Sequence, residues 1–231
     1  ASFNEVDGIP ATGNKWLMTE VLRNQWKFKG FVVTDYTGIN EMRDAKMKYT
    51  KREVNILDHA TEVLKALRSG GLLVNTKHDG FVNTMTVSWG QIGYEWEKPM
   101  MTVFIRKHRC THDQLEAHGE FTVSVPMGNF DRKILGIAGT KSGHDVDKIK
   151  ELGLTPVDSN HVDVPGFAEL PLTIECKVKY VQDQDPKAVA NEFQADMYPQ
   201  DVDGSFHGAN RDYHTVYMGE IVGAYVVEPE A

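Results

Sequence analysis

Cysteine is scarce in this sequence. Cys110 and Cys176 are the two in 231 residues; they make no disulfide framework, and neither sits in a C-x-x-C metal or redox motif. Positive charge is in deficit: 25 Lys and Arg stand against 33 Asp and Glu, for a net charge of -8. That balance excludes a general affinity for nucleic acid or for an anionic membrane. No run of about 18 apolar residues is present, so no transmembrane helix is expected. The start lacks the basic n-region and apolar h-region of a secretory signal. No G-x-G-x-x-G follows a strand, which removes a Rossmann dinucleotide domain, and there is no internal repeat or low-complexity segment. What remains is 41% apolar and 25% charged, a soluble globular composition with length for one large domain or two small ones. A reducing cytoplasm fits this cysteine usage best.

The stretch Val82–Gly93, VNTMTVSWGQIG, alternates. Asn83, Met85, Val87 and Trp89 share one parity, and Thr84, Thr86 and Ser88 share the other. Period-two alternation rich in β-branched residues predicts a strand with one apolar face and one row of hydroxyls. That row leaves room for a flat, polar-edged ligand and equally suits a solvent-facing exterior. Around it, the pattern predicts an amphipathic helix over Glu53–Leu67 ended by Gly70-Gly71, and a strand Leu72–Thr76. His78-Asp79-Gly80 turns that strand into the alternating stretch as a hairpin. Further strands are expected at Met100–Ile105, Phe121–Val125, Leu172–Val181 and His214–Val227. Short helices are expected at His112–Ala117, Phe130–Ile137, Asp145–Leu152 and Lys187–Ala195. The fold class is therefore mainly β with helices (α+β), a closed or split β-barrel.

Two places suit an anion. Arg106-Lys107-His108-Arg109 precedes Thr111 and Gln114, whose spacing is that of a capping box opening a helix at about His112. Cations beside a helix N-terminus make a phosphate site, although the same cluster also suits a solvated basic loop. Gly139-Thr140-Lys141-Ser142-Gly143 resembles a P-loop, but Thr140 stands where that motif demands Gly, so no nucleoside triphosphatase follows. The loop suits a flavin phosphate or ribityl chain, or a plain helix start. His207, Asp212 and His214 match no common metal-ligand spacing, so no metal is expected. Cys110 lies among cations that favour a thiolate, yet a passive cysteine is the preferred reading. Trp89 would border a bound ligand or, sharing the apolar parity, pack in the core, which is the preferred reading. Tyr94 and Trp96 fall in a loop, where they would cover a ring face or anchor a dimer.

The first 46 residues read differently. FNEVDGIPATGNKWLMTEVLR predicts a Gly/Pro-punctuated loop and a helix from about Lys15 to Gln25, followed by the strand of GFVVTDY, Gly30–Thr34. This segment resembles part of the catalytic barrel of family 3 glycoside hydrolases, and the resemblance implies that Asp35 matches their nucleophile. A barrel takes about 200 residues or more, and retaining hydrolysis needs a second carboxylate about 5 Å away. Met47, followed by KYTKREVNILDHA, reads as a natural start. Residues 1–46 are thus expected to be a joined, non-native fragment, and residues 47–231 the functional domain.

Over residues 47–231, the strings NTMTVSWG, RKHRCT, EFTVSVP, GTKSGHDVDK and QDVDGSFHGANRDYHT…GEIV resemble the flavin reductase-like, flavoredoxin-type family. The resemblance implies an FMN-binding split β-barrel, usually a homodimer with flavin near the subunit interface. Carried over by position, Asn83, Thr84, Met85, Thr86 and Ser88 would line the isoalloxazine and ribityl chain. Arg106, Arg109 and Thr111 would hold the phosphate, supported by Lys141 and Ser142. His207, Asn210 and His214 are candidates near the approach of the electron donor. A flavin carries its own redox chemistry, which accounts for a body without a nucleophile–base pair. The function so implied is reduction of FMN (FAD being the alternative) by NAD(P)H, with electrons passed to a free flavin, a redox protein partner or a small acceptor. The alternative is a flavoredoxin-type electron carrier that takes electrons from a protein; a flavin-storage protein and a glycosidase rank behind it.

Overall fold

The structure is a computed structural model that describes residues 5–6, 9–10, 16–27, 29, 49–203 and 210–229. The chain divides into two compact units, residues 1–49 with 229–231, and residues 50–228. In the first, Glu5–Val6 pairs antiparallel with Ile9–Pro10, and Trp16–Gln25 is helical. The expected strand Gly30–Thr34, with Asp35 and Met47, lies outside the described residues.

The second unit is built on one eight-stranded sheet: β1 (Tyr49–Glu53), β2 (Leu72–His78), β3 (Phe81–Val87), β4 (Gly90–Glu95), β5 (Lys98–Arg106), β6 (Glu120–Val125), β7 (Leu172–Asp183) and β8 (His214–Pro229). The hydrogen-bonded order is β3-β2-β6-β7-β8-β5-β4, with β1 added on β8. Pairing along that path is antiparallel throughout. The two end strands, β3 and β4, are consecutive in the chain and separated by Ser88-Trp89, and no ladder joins them. The architecture is mainly β with helices, as the alternating patterns imply.

Turn chemistry sets the two hairpins. Asp79 and Gly80 have φ of 48° and 78° and join β2 to β3 with Leu72 opposite Val87 and His78 opposite Phe81. Positive φ at both central residues matches the right-handed twist of the flanking strands. Trp96 and Glu97, at φ 50° and 58°, join β4 to β5 in the same way without a glycine. Here the sequence reading needs correction. The single strand expected over Val82–Gly93 is broken at Ser88-Trp89, and Tyr94, expected in a loop, lies within the strand Gly90–Glu95.

The helices are α1 (Ala60–Arg68), α2 (Cys110–His118), α3 (Lys133–Thr140), α4 (Lys148–Leu152) and α5 (Asn191–Met197). The expected Glu53–Leu67 helix starts late. Tyr49–Glu53 is drawn into the sheet as β1, and the side chain of Asn55 accepts from the Leu57 N–H to open a short helical turn at Ile56–His59. The buried stripe of α1 is then Val63, Ala66 and Leu67, which leaves Leu57 and Leu64 exposed against the amphipathic reading. The Phe130–Ile137 helix runs instead over Lys133–Thr140, so Gly139 and Thr140 are helical and Lys141 is its C-cap. Asp147 caps α4 by accepting from the Lys150 N–H. The Lys187–Ala195 helix is split into a turn at Pro186–Ala188 and α5.

Two apolar layers lie on the two faces of the sheet. On β2, Leu72 and Val74 join Val63, Val87, Val103, Phe121 and Tyr217 on one side. Leu73 points the other way, to Ile134, Leu135 and Ala138 of α3 and to Phe167 and Leu170. The side covered by α3 also carries a closed polar network. Asn75 donates to Thr122 Oγ1 (3.0 Å) and Ser124 Oγ (2.9 Å) and accepts from Thr84 Oγ1 (2.7 Å). Thr122 in turn donates to the Pro165 carbonyl. All four side chains are fully buried, and pairing offsets the desolvation they incur.

Candidate functional site

A cleft of about 270 Å³ opens at the broken strand. It is lined by Met85, Thr86, Val87, Ser88 and Trp89, by Phe104 and Arg106 at the end of β5, and by Arg109, Asn210 and His214. Beside it lies a narrow cavity between Asn83, Arg109, Cys110, Thr111 and the turn Lys141-Ser142-Gly143, floored by Lys148. Met85 and Arg109 belong to both. One elongated site, wide at one end and cationic at the other, results.

The narrow end is the N-terminus of α2, capped by Arg109 in an extended conformation without a side-chain cap. The expected capping box does not form. Thr111 Oγ1 accepts instead from Asn83 Nδ2 (2.9 Å), and Gln114 Oε1 accepts from Thr76 (2.5 Å). Tertiary partners on β2 and β3 outcompete the local motif, so no side chain caps the helix start, and the His112 N–H donates to the Arg109 carbonyl at 2.8 Å. Asn83 Oδ1 is buried with no hydrogen-bond donor. Gly143 is needed at its place because a Cβ there would stand 2.2 Å from that oxygen.

Lys148 is the residue the sequence hid. Placed by α4 under the cavity, it is 4% exposed. Its ammonium donates to the Ala138 carbonyl at 3.1 Å, and among the described residues no carboxylate pairs with it. Burial lowers its pKa to about 8, partly opposed by Cys110, and Arg109 pushes the same way as burial. Arg109 and Arg106 are also lowered by burial, while burial raises the Cys110 thiol, in keeping with a passive cysteine. Preceded by Asp145 and Asp147, Lys148 reads in sequence as one more solvated helix cation. Lys141, the lysine the P-loop-like string singled out, lines the cavity but pairs its ammonium with Glu151.

The other expected residues divide between the two ends. Asn83, Thr111, Lys141 and Ser142 line the narrow cavity, and Thr86, Ser88, Arg106, Asn210 and His214 line the cleft. Thr86 donates to the Leu135 carbonyl (2.6 Å). Thr84 lines neither, being fully buried against Asn75, so the hydroxyls of β3 do not form one open platform. Arg106 donates to the backbone carbonyls of Asn210 (2.9 Å), Asp212 (2.5 Å) and Met197 (2.8 Å). It thereby ties the cleft wall together. His207 lies outside the described residues.

Trp89 corrects the parity argument. The break at Ser88 turns it out of the core, 40% exposed, with its ring 5.1 Å from that of His214. Phe104 meets the same imidazole edge-on at 6.4 Å. His214 is 5% exposed, and burial first, then the nearby Arg106, lower its pKa to about 4. Asp212 is held at about 2: burial pushes it up, but hydrogen bonds from the His108 ring and N–H outweigh that. Among the described residues no cluster of three metal-ligating side chains exists, and no helix is long and apolar enough to cross a membrane.

Known proteins resemble this chain over two overlapping stretches. An uncharacterized protein of Pyrococcus abyssi is 35% identical over 111 residues, 48% of this chain and 62% of that protein, so the chain spans less than two thirds of this relative. The FMN-binding domain of a flavin reductases-like enzyme from Shewanella baltica superposes with a TM-score of 0.50 at 18% identity, covering 77% of each chain. The profile of the glycosyl hydrolase family 3 N terminal domain matches residues 1–78. A periplasmic beta-glucosidase of Salmonella typhimurium is 44% identical over 41 residues, 18% of this chain and 5% of that protein. The flavin reductase like domain profile matches residues 64–231, well over half the chain, and the protein belongs to that family.

Proposed function

We propose that this protein is an FMN-dependent oxidoreductase that accepts hydride from NAD(P)H and passes electrons to a free flavin, a redox protein or a small acceptor. The observation that carries the reading is the buried, uncompensated ammonium of Lys148 at the narrow end of a cleft whose wide end is aromatic. An unpaired buried cation is costly, and a phosphate supplies its missing partner. The donor set fits the cofactor. Arg109, Lys148 and the N–H groups opening α2 suit a phosphate, and the unpartnered Asn83 Oδ1 suits a ribityl hydroxyl as donor. The cleft beside Met85, Trp89 and Phe104 suits the flat ring. The narrow cavity, about 10 Å³, holds about one water, so seating a phosphate requires the Lys141–Gly143 turn to move outward. Bound flavin supplies the hydride and electron chemistry; the chain's own residues bind, orient and exclude water. Arg106 holds the Asn210–Asp212 wall, and neutral His214 faces the ring site without adding positive charge.

The visible spectrum of the purified protein with added FMN, before and after anaerobic NADH or NADPH, tests this. Flavin bands that bleach rapidly support the reductase. Bands that persist with nicotinamide but bleach with a reduced protein carrier favour the flavoredoxin-type carrier. Failure to bind FMN refutes the reading. A homodimer is part of the proposal, supported by the exposed Tyr94 and Trp96 at one hairpin tip (70% and 56%) and tested by the mass in solution. A cytoplasmic setting rests on two buried, unpaired cysteines. Residues 1–46 are proposed to add no glycosidase activity: Asp35→Asn is expected to leave flavin reduction unchanged, and no aryl β-glucoside is hydrolysed by either protein.

A further inference from the structure

The imidazole of His214 has its proton assigned by a chain of hydrogen bonds outside the cleft. The backbone N–H of His214 donates to Oε1 of Gln184 at 3.2 Å. A peptide N–H can only donate, so that Gln184 atom is the amide oxygen. The hydroxyl of Tyr198 lies 2.9 Å from the same oxygen and must give it its single proton. The hydroxyl is then an acceptor toward Nδ1 of His214, 3.0 Å away, and Nδ1 must carry the hydrogen. In a neutral ring the other nitrogen, Nε2, is bare. His214 lines the cleft, and with Nδ1 held by Tyr198 its Nε2 has no partner among the described residues.

We propose that Gln184 and Tyr198 are positioning residues that lock His214 in the Nδ1–H tautomer, so that its bare Nε2 faces the cleft as a hydrogen-bond acceptor for an N–H or O–H donor of the bound ligand. The relay is braced on every side. Arg106 donates to the Met197 carbonyl and sits 5.1 Å over the Tyr198 ring, Tyr213 stacks on Tyr198 at 4.2 Å, and Gln184 N–H donates to the His214 carbonyl at 2.9 Å. The imidazole is walled by Trp89, Phe104 and Tyr198, which opposes a ring flip. Burial first, then Arg106, Arg109 and His108, keep the ring unprotonated against the opposing pull of Asp212. A neutral acceptor beside the Arg106 and Arg109 donors of the cleft gives the ligand's donor edge a place to bind. The tautomer stands on the hydrogen bonds alone; its use toward a ligand rests on the flavin-site reading above.

Long-range ¹⁵N–¹H correlation of the histidine rings in the full chain reads the tautomer directly, because bare and protonated ring nitrogens have widely separated shifts. His214→Gln assigns the signals among nine histidines. The expected result is protonated Nδ1 and bare Nε2 in the free protein. Tyr198→Phe removes the acceptor, and Gln184→Ala frees the tyrosine hydroxyl to donate; both are expected to move the proton to Nε2. Gln184→Glu keeps the acceptor oxygens and is expected to preserve the wild-type pattern. A wild-type His214 with Nε2–H, or a tautomer unmoved by Tyr198→Phe and Gln184→Ala, overturns the lock whether or not flavin binds. On adding FMN the Nε2 resonance is expected to shift upfield as it accepts a hydrogen bond. FMN that binds by its visible spectrum and leaves Nε2 unmoved overturns the acceptor role, whereas FMN that fails to bind sinks the flavin reading and that role with it, the lock being decided separately.

Discussion

Replacing Lys148 with methionine tests the site through two independent quantities. The folded chain holds the ammonium at a pKa of about 8 against an ordinary 10.5. That depression corresponds to about 3 kcal/mol of disfavour for the charged form. The sign follows from proton counting. Between pH 8 and 10.5 the unfolded chain keeps the proton that the folded chain has released, so stability rises with pH across that window. Equilibrium denaturation of wild type and Lys148→Met, both without flavin, is therefore expected to show a difference that changes by about 3 kcal/mol over the window. Below pH 8 the difference is flat. Saturating FMN is expected to abolish the slope in the wild type, because a phosphate keeps Lys148 charged. The second quantity is ligand preference. A charge-assisted hydrogen bond is worth roughly 1.5–3 kcal/mol, so Lys148→Met weakens FMN binding by about ten- to a hundredfold while riboflavin, which lacks the phosphate, is unaffected. Parallel pH–stability curves for the two proteins, or an unchanged preference for FMN over riboflavin, refute the reasoning.

Other expectations follow from single features of the fold. Asn75→Ala strands the hydroxyls of Thr84 and Ser124 and removes a donor to Thr122; a loss of about 2–4 kcal/mol is expected from the denaturant midpoint. Trp96→Asn with Glu97→Gly relieves two positive-φ non-glycine residues, and a gain of about 1 kcal/mol, read as a higher Tm, is expected. His214 has its folded pKa near 4 against 6.5. The unfolded chain therefore binds the extra proton between those values, and about 3 kcal/mol of stability is lost as pH falls through the window; His214→Phe is expected to remove that acid sensitivity. Gly143→Ala drives a methyl against Asn83 Oδ1 and is expected to weaken FMN binding more than it lowers Tm.

The class of fold, the hairpin turn at Asp79-Gly80 and the family were all legible in the residues alone. These depend on local chemistry: alternation along a strand, positive φ at an Asp-Gly pair, and strings of residues that resemble one family. The sequence also placed cations and a helix start together at Arg106–Thr111, because neighbours in sequence remain neighbours in space. Partners across the chain were not legible there. Thr111 and Gln114 have capping-box spacing, yet Asn83 and Thr76 take their side chains. Trp89 follows the apolar parity of β3 until the strand breaks one residue before it. Lys141 carries the motif and pairs with Glu151, while Lys148, among acidic neighbours in sequence, is left as the buried, unpaired cation. Periodicity reports which face a residue shares with its neighbours. It does not report where a strand breaks, or which distant group reaches a donor first, and those contests are settled by packing.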